Sequence, residues 1–259
     1  TAAYRLGWTV LLLLPVVLLR CRAELRRVTA RDLVLCGASG VLLALHFLTW
    51  FESLKRTSVA SSTVLVSTEV IFTALGFALF LHGKIPRLGV WAILLAFGGS
   101  ALLALSGGGG AGELSGNLLA LAAASAAAVY TLIGRIQRGH LSTTVYTFLT
   151  YLACFLTLLL GTAAAGTPLT GYGGREWLIG LALAVLCTLL GHSLFSWCLK
   201  YLSPSYVSAA KLCEPVFSSL AAIPLFGEVP GPLQLAGGAA VLGAVLLYTW
   251  AEREKTPAG

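Results

Sequence analysis

Nine stretches of mostly apolar residues follow one another along this chain, and each is long enough to cross a hydrocarbon layer as a helix of about 20 residues. They run over roughly 3–20, 32–54, 58–81, 87–106, 114–134, 142–164, 176–199, 204–226 and 232–251. Inside lipid the backbone must satisfy its own hydrogen bonds, so runs of this length fold as helices. The connections are short and carry Gly, Pro, Ser or basic residues, as at Ser106–Asn117 and Phe226–Pro232. None is long enough to hold a soluble domain. Only 10% of residues are charged, against about 25% in soluble domains, and mean hydropathy is +0.89. Polar surface is too scarce to cover a water-soluble globule. The fold class that follows is all-α, a polytopic integral membrane protein with the bilayer as its solvent.

The net charge of +7 does not form a nucleic-acid patch, because the basic residues lie between apolar runs. Alternating the loops between sides puts Arg20, Arg22, Arg26, Arg27, Arg31, Lys84, Arg87, Arg135, Arg138, Lys200, Arg253 and Lys255 on one side. Only Lys55, Arg56 and Arg175 fall on the other, while Arg5 and Lys211 lie within spans. Positive residues stay inside, so the expectation is a cytoplasmic C-terminus in a cell (inner or plasma) membrane. The first run, Tyr4 to Leu19, has its arginines after it rather than before, which marks a retained span and not a signal peptide. Cys36, Cys154, Cys187, Cys198 and Cys213 sit in apolar runs, where small apolar packing is the expected role. No cofactor is expected.

The chain repeats itself. Leu54-Lys55 matches Leu199-Lys200 at an offset of 145 (199 less 54), and Glu69-Val70-Ile71-Phe72 matches Glu214-Pro215-Val216-Phe217 at the same offset. With one residue of slip, Gly83-Lys84-Ile85-Pro86 matches Gly227-Glu228-Val229-Pro230. The later half holds five spans and the earlier half four, so the partner of 114–134 would precede residue 1. The expectation is a ten-helix plan of two inverted five-helix repeats, with the first helix absent from this chain. The repeats would cover 1–107 and 113–253, joined by a flexible Gly107–Gly110 linker. An odd number of spans per repeat inverts the second half, a recurring plan of secondary transporters.

The residues Gly191-His192-Ser193-Leu194-Phe195, Tyr201-Leu202-Ser203, Glu214-Pro215-Val216-Phe217 and Phe226-Gly227-Glu228 resemble the drug/metabolite transporter superfamily in its EamA-type branch. A weaker copy stands in the earlier half, His46-Phe47 through Thr57-Ser58-Val59-Ala60-Ser61-Ser62. The resemblance implies ten helices in two inverted repeats and export of amino acids or other small metabolites. Two departures bear on the symmetry of the gating helices. Val70 stands where the family pattern has a helix-breaking proline, and Lys84 where it has glutamate.

Ionisable groups within a bilayer cost about 2.5–3.5 kcal/mol on insertion scales and need a partner or a watery cavity. Glu69 and Glu214 fall near the middle of repeat-related spans, and Lys211 lies three residues before Glu214 on the same face. Two readings stand side by side. Lys211 meets an anionic group while the glutamates handle a cation or proton, or Lys211 and Glu214 neutralise each other structurally. Pro215 frees the carbonyl of Lys211, as a kink or as a ligand to substrate. Ser58, Ser62, Glu69 and Thr73 form a polar stripe, and Ser208 and Ser218 flank Lys211 and Pro215. His46 and His192 occupy equivalent spans, as proton relays or hydrogen-bonded structural residues. Trp50 and Trp197 lie nearby, as an aromatic wall or as packing and interfacial anchors. Arg5 either snorkels or guards the outer mouth.

The expected function is a secondary transporter, an exporter of amino acids or similar small metabolites, acting as a monomer or homodimer on a small-molecule substrate. A single lysine beside carboxylates suits a zwitterion better than a polyanion. The alternatives are a nucleotide-sugar or sugar-phosphate carrier and a cationic drug exporter. Outside transport stand a channel and a membrane-embedded enzyme. Catalysis lacks a His-Glu-x-x-His or a pair of aspartates, since Asp32 is the only aspartate.

Overall fold

The computed structural model describes residues 2–57, 59–105, 114–166, 173–214, 216–217, 220, 223–224 and 231–253. Every regular element among them is helical. In chain order these are α1 (Ala2–Arg20), α2 (Arg22–Leu25), α3 (Ala30–Ser53), α4 (Val59–Ser67), α5 (Glu69–Phe80) and α6 (Arg87–Leu105). There follow α7 (Leu114–Gln137), α8 (Thr143–Ala164), α9 (Gly174–Leu183), a π-helix (Ala184–His192), α10 (Ser193–Cys198), α11 (Pro204–Lys211) and α12 (Pro232–Arg253). The Gly107–Gly110 linker lies outside the described residues, as do Ser58, Pro215, Ser218 and much of the 212–226 stretch.

Helix starts follow local chemistry. Ser142 and Ser203 are extended, and each side-chain hydroxyl accepts a backbone N–H three residues on, from Val145 and Tyr206 at 3.2 Å. These are N-caps, worth about 1 kcal/mol each. Pro204 opens α11, where its missing donor is no loss. Arg135 donates through Nη1 to the carbonyls of Leu199 at 2.6 Å and Lys200 at 3.1 Å. That basic residue therefore caps the end of α10.

Six of the helical stretches are long and apolar enough to cross a membrane by length and composition, and shorter apolar helices cover Arg87–Leu102 and Leu235–Ala251. Large apolar side chains stand open at their outer faces, Leu19, Phe80 and Leu246 among them. Water would drive such a surface to aggregate, whereas hydrocarbon solvates it. The chain is a polytopic α-helical membrane protein.

Contacts divide the chain into two compact units, 1–48 with 129–202, and 49–128 with 203–259. This division does not follow the sequence repeat, since each unit takes a stretch from either side of the 107–113 junction. In the first unit α1 packs on α8, α9 and the π-helix around Leu6, Leu43, Ala44, Phe47, Tyr130, Tyr151, Cys154 and Leu158. Gly40 of α3 lies so close to α8 that a Cβ there would sit 2.8 Å from the Cys154 nitrogen. In the second unit α6 packs along α12, and α11 along α5, around Val70, Ile93, Ala96, Ala209, Val241 and Tyr248. Gly99 brings α6 against α12, where a Cβ would stand 2.8 Å from the Gly237 carbonyl. Small residues at such crossings let backbones approach, which is how helices associate without a hydrophobic driving force.

Three expected continuous spans are interrupted, one of them 204–226, which turns at Leu212 and Cys213 after α11. Of the 58–81 span, Val59–Ser67 and Glu69–Phe80 form α4 and α5 with a break at Thr68, and 176–199 contains the π-helix.

Candidate functional site

The break at Thr68 has a local cause. The hydroxyls of Ser67 and Thr68 donate to carbonyls of the preceding turn, Thr63 at 2.8 Å and Leu65 at 2.6 Å. Hydroxyls bonded back in this way compete with the α-helical ladder and bend it. The Thr68 N–H then reaches Leu65, and the N–H groups of Ile71 and Phe72 both reach the Thr68 carbonyl.

The same pattern recurs 145 residues later (213 less 68). Leu212 and Cys213 donate to Ala209 and Ala210, and the N–H groups of Val216 and Phe217 both reach the Cys213 carbonyl. Both breaks fall in the second unit. Tight i to i−3 turns inside a membrane helix often mark functional hinges. The proline expected to be needed for the break is missing from the first half, where Val70 stands, and the break forms regardless.

Glu69 is the first residue after one break, and Lys211 the last helical residue before the other. Lys211 Nζ donates to Glu69 Oε1 at 2.6 Å, with side chains 17% and 13% exposed. This is a charge-assisted contact in a low-dielectric interior. The sequence offered Glu214 as a neighbour for Lys211; the structure brings it Glu69 from the other half of the chain. Glu214 itself is exposed.

Hydroxyls surround the pair's two helices. Thr73 lies one turn beyond Glu69, and Ser208 and Ser205 lie on the helix that Lys211 ends. Their oxygens are buried and make no hydrogen bond among the described residues, as is also true of Ser100 on α6. An unsatisfied buried hydroxyl costs about 1–3 kcal/mol, so several on the helices of the second unit describe an interior suited to polar company. Ser62 is fully buried and accepts from Ser53 Oγ at 2.9 Å, tying the end of α3 to α4. Trp50, also in this unit, stacks on Phe51 with centroids 5.8 Å apart.

The remaining expected site residues lie in the first unit. His46 is buried, and its ring lies 5.3 Å from that of Phe47. His192, last residue of the π-helix, meets the same Phe47 edge-on at 5.7 Å. Trp197 is 48% exposed and leans on Tyr201, with centroids 4.9 Å apart. The expected set thus divides, with His46, His192 and Trp197 in one unit and Lys211, Glu69, Glu214, Ser62 and Trp50 in the other.

The first unit also assembles a group that sequence spacing does not reveal. Arg5 Nε donates to Thr188 Oγ1 at 2.6 Å, and its guanidinium lies 5.0 Å over the Phe47 ring. The Tyr151 and Ser193 hydroxyls are 3.2 Å apart, and Ser193 Oγ donates to the Thr188 carbonyl at 3.2 Å. Arg5 therefore points into the unit's interior instead of reaching out towards headgroups. Among the described residues no cluster of His, Cys, Asp and Glu could hold a metal ion.

The chain as a whole is similar to known proteins. The pseudopaline exporter of Pseudomonas aeruginosa is 24% identical over 207 residues, 80% of this chain and 72% of its own. A probable terminal-alkyne amino-acid exporter of Streptantibioticus cattleyicolor is 28% identical over 233 residues, 86% of this chain and 75% of its own. One solved crystal structure superposes with a TM-score of 0.79 at 21% identity, over 98% of this chain and 88% of the other, a likeness of fold. The EamA-like transporter family matches at residues 1–105 and again at 114–250. The chain belongs to the EamA-like transporter family.

Proposed function

We propose that this transporter exports amino acids or similar small metabolites by alternating access between two inverted repeats, with the Lys211–Glu69 pair as its central site. The observation that carries this reading is the 2.6 Å ion pair held between two matching helix breaks. A zwitterion bears the same two charges as the pair. Its carboxylate can replace Glu69 on Lys211 while its ammonium replaces Lys211 on Glu69, and the buried hydroxyls of Thr73 and Ser208 lie on the same two helices, four and three residues away along the chain. Neutral exchange of this kind never leaves a lone charge in the low-dielectric interior. The breaks supply the hinges at which each arm turns. Two exporter-named relatives, one of an amino acid, fit the direction and the substrate class. The asymmetry of basic loops supports a cytoplasmic C-terminus in an inner or plasma membrane.

The test is efflux from bacteria expressing the full protein, across amino acids, their toxic analogues, nucleotide sugars and cationic drugs. Export of one amino-acid class, lost in Lys211→Ala and Glu69→Gln variants matched for membrane expression, is the expected result. Export confined to nucleotide sugars or to drugs overturns the substrate class. Export undiminished by either substitution overturns the site.

A further inference from the structure

At one end of the first unit lies a cavity of about 530 Å³ whose walls include Arg20, Glu24, Arg27, Thr29, Asp32 and His140. A second cavity of about 260 Å³ adjoins it, sharing Glu24, His140 and Leu141. The walls come from the last residue of α1, from α2, from the start of α3 and from the turn between α7 and α8, all within one unit. Ligand cavities run from about 300 to 1,000 Å³, so the larger one can hold a small polar group.

The acids of this cavity are committed to its walls. Asp32 Oδ2 accepts from the Thr29 N–H at 3.0 Å and from the Thr29 hydroxyl at 2.7 Å. Its Oδ1 accepts from Gln137 Nε2 at 3.3 Å and lies 2.8 Å from His140 Nε2. Glu24 Oε1 accepts the Ser142 N–H at 2.6 Å. These bonds tie α3 to the end of α7, and α2 to the start of α8. The bases are not committed. The guanidiniums of Arg20 and Arg27 make no hydrogen bond or ion pair among the described residues, and both residues are exposed. Two spare guanidiniums therefore line a frame whose negative charges are already engaged. Such forks match the oxygens of a phosphate two at a time.

The same cavity sits at the edge of the hydrocarbon. Arg20 ends α1 directly after Leu19, which is 83% exposed, and Leu11 and Leu18, two turns apart on that helix, stand open as well. A ligand carrying both a phosphate and acyl chains meets both features at once, its phosphate on the guanidiniums and its chains along α1. We propose that this cavity binds the headgroup of an anionic phospholipid, with Arg20 and Arg27 holding the phosphate. Basic pockets between membrane helices take headgroups of this kind. A free phosphate ester shares that chemistry but gains nothing from the apolar face of α1, so a lipid is the source the structure favours. None of these residues belongs to the Lys211–Glu69 site, and the proposal does not rest on the export reading.

The experiment is native mass spectrometry of the purified full chain in detergent, titrated with three probes. These are phosphatidylglycerol, phosphatidylcholine as a lipid without net charge, and glycerol 3-phosphate as a headgroup without chains. Phosphatidylglycerol is expected to bind at least about tenfold more tightly than either of the others. Arg20→Gln with Arg27→Gln removes that preference. Arg22→Gln with Arg26→Gln takes the same charge from neighbours that do not line the cavity, and keeps it. Should the first double variant not fold, Arg27→Gln alone carries the test, with an expected loss of at least about threefold. Equal losses in the two double variants would show attraction to the basic stretch at large and overturn the site. Equal binding of the two lipids overturns it as well. Glycerol 3-phosphate bound as tightly as phosphatidylglycerol, through the same two arginines, would make this a free-phosphate site and overturn the lipid assignment.

Discussion

The two broken helices of the second unit share a shape and differ in what makes it. Around Thr68 the ladder is opened by two hydroxyls turned back on Thr63 and Leu65. Around Cys213 no such pair exists in the sequence, and the residue two beyond the break is Pro215, which has no N–H to give. Val70 occupies the matching place in the first half and has one. Yet Ile71 and Phe72 bond to Thr68 as Val216 and Phe217 bond to Cys213. The geometry of the break is therefore what the fold requires, and either chemistry delivers it. A missing proline does not straighten the first arm, because Ser67 and Thr68 provide an equivalent.

The arms also differ in charge, and that difference yields the largest predicted effect. Lys211→Ala removes the cation from the second arm and takes from Glu69 the ammonium that holds it at 2.6 Å. Breaking a buried pair from one side typically costs about 3–5 kcal/mol, here as lost thermal stability of the purified protein. Glu69 is only partly enclosed, so the lower end of that range is expected. An unfolding midpoint equal to that of the unaltered protein would mean that the pair does not hold the arms together.

A smaller effect separates the arms at their outer halves. Ser62 holds α4 to α3 through Ser53, and its counterpart in the second arm, 145 residues on, is the buried Val207. Ser62→Val writes the second arm's residue into the first and strands the Ser53 hydroxyl, at about 1–2 kcal/mol. Denaturation of the variant measures it, and a neutral result would make the anchor dispensable.

The smallest change in stability belongs to the break itself. Ser67→Ala with Thr68→Val removes the hydroxyls that bend the first arm and shifts stability by under about 1 kcal/mol. Export slows nonetheless, and hydrogen exchange at Ile71 and Phe72 falls as a regular ladder replaces the break. Unaltered exchange would show that packing, rather than hydroxyls, sets the bend.

Much of this architecture was legible in the chain. Lipid leaves few ways to fold a 20-residue apolar run, so the described helices stand where hydropathy places them. The matching breaks preserve the 145-residue offset visible at Glu69 and Glu214. What sequence did not show are contacts made only by folding. Lys211 meets Glu69 across 142 residues, whereas spacing along one helix pointed to Glu214. The break at Thr68 was hidden because hydroxyl back-bonding is optional for any Ser or Thr, while proline advertises itself. Arg5, near a helix end, has the position of a snorkelling residue, and only the π-helix opposite explains its inward course. That π-helix depends on packing against α1 and leaves no periodic trace.

The central claim is that the Lys211–Glu69 pair is exchanged for substrate and is not merely a brace between two arms. The most direct measurement is export by the double variant Lys211→Gln with Glu69→Gln, alongside its thermal stability. Removing both charges of the pair together avoids leaving either one buried without the other, so the protein should remain folded with stability close to that of the unaltered chain. The account predicts that this stable protein exports no amino acid. A double variant that is folded and exports at the original rate would contradict it, and the pair would then be structural.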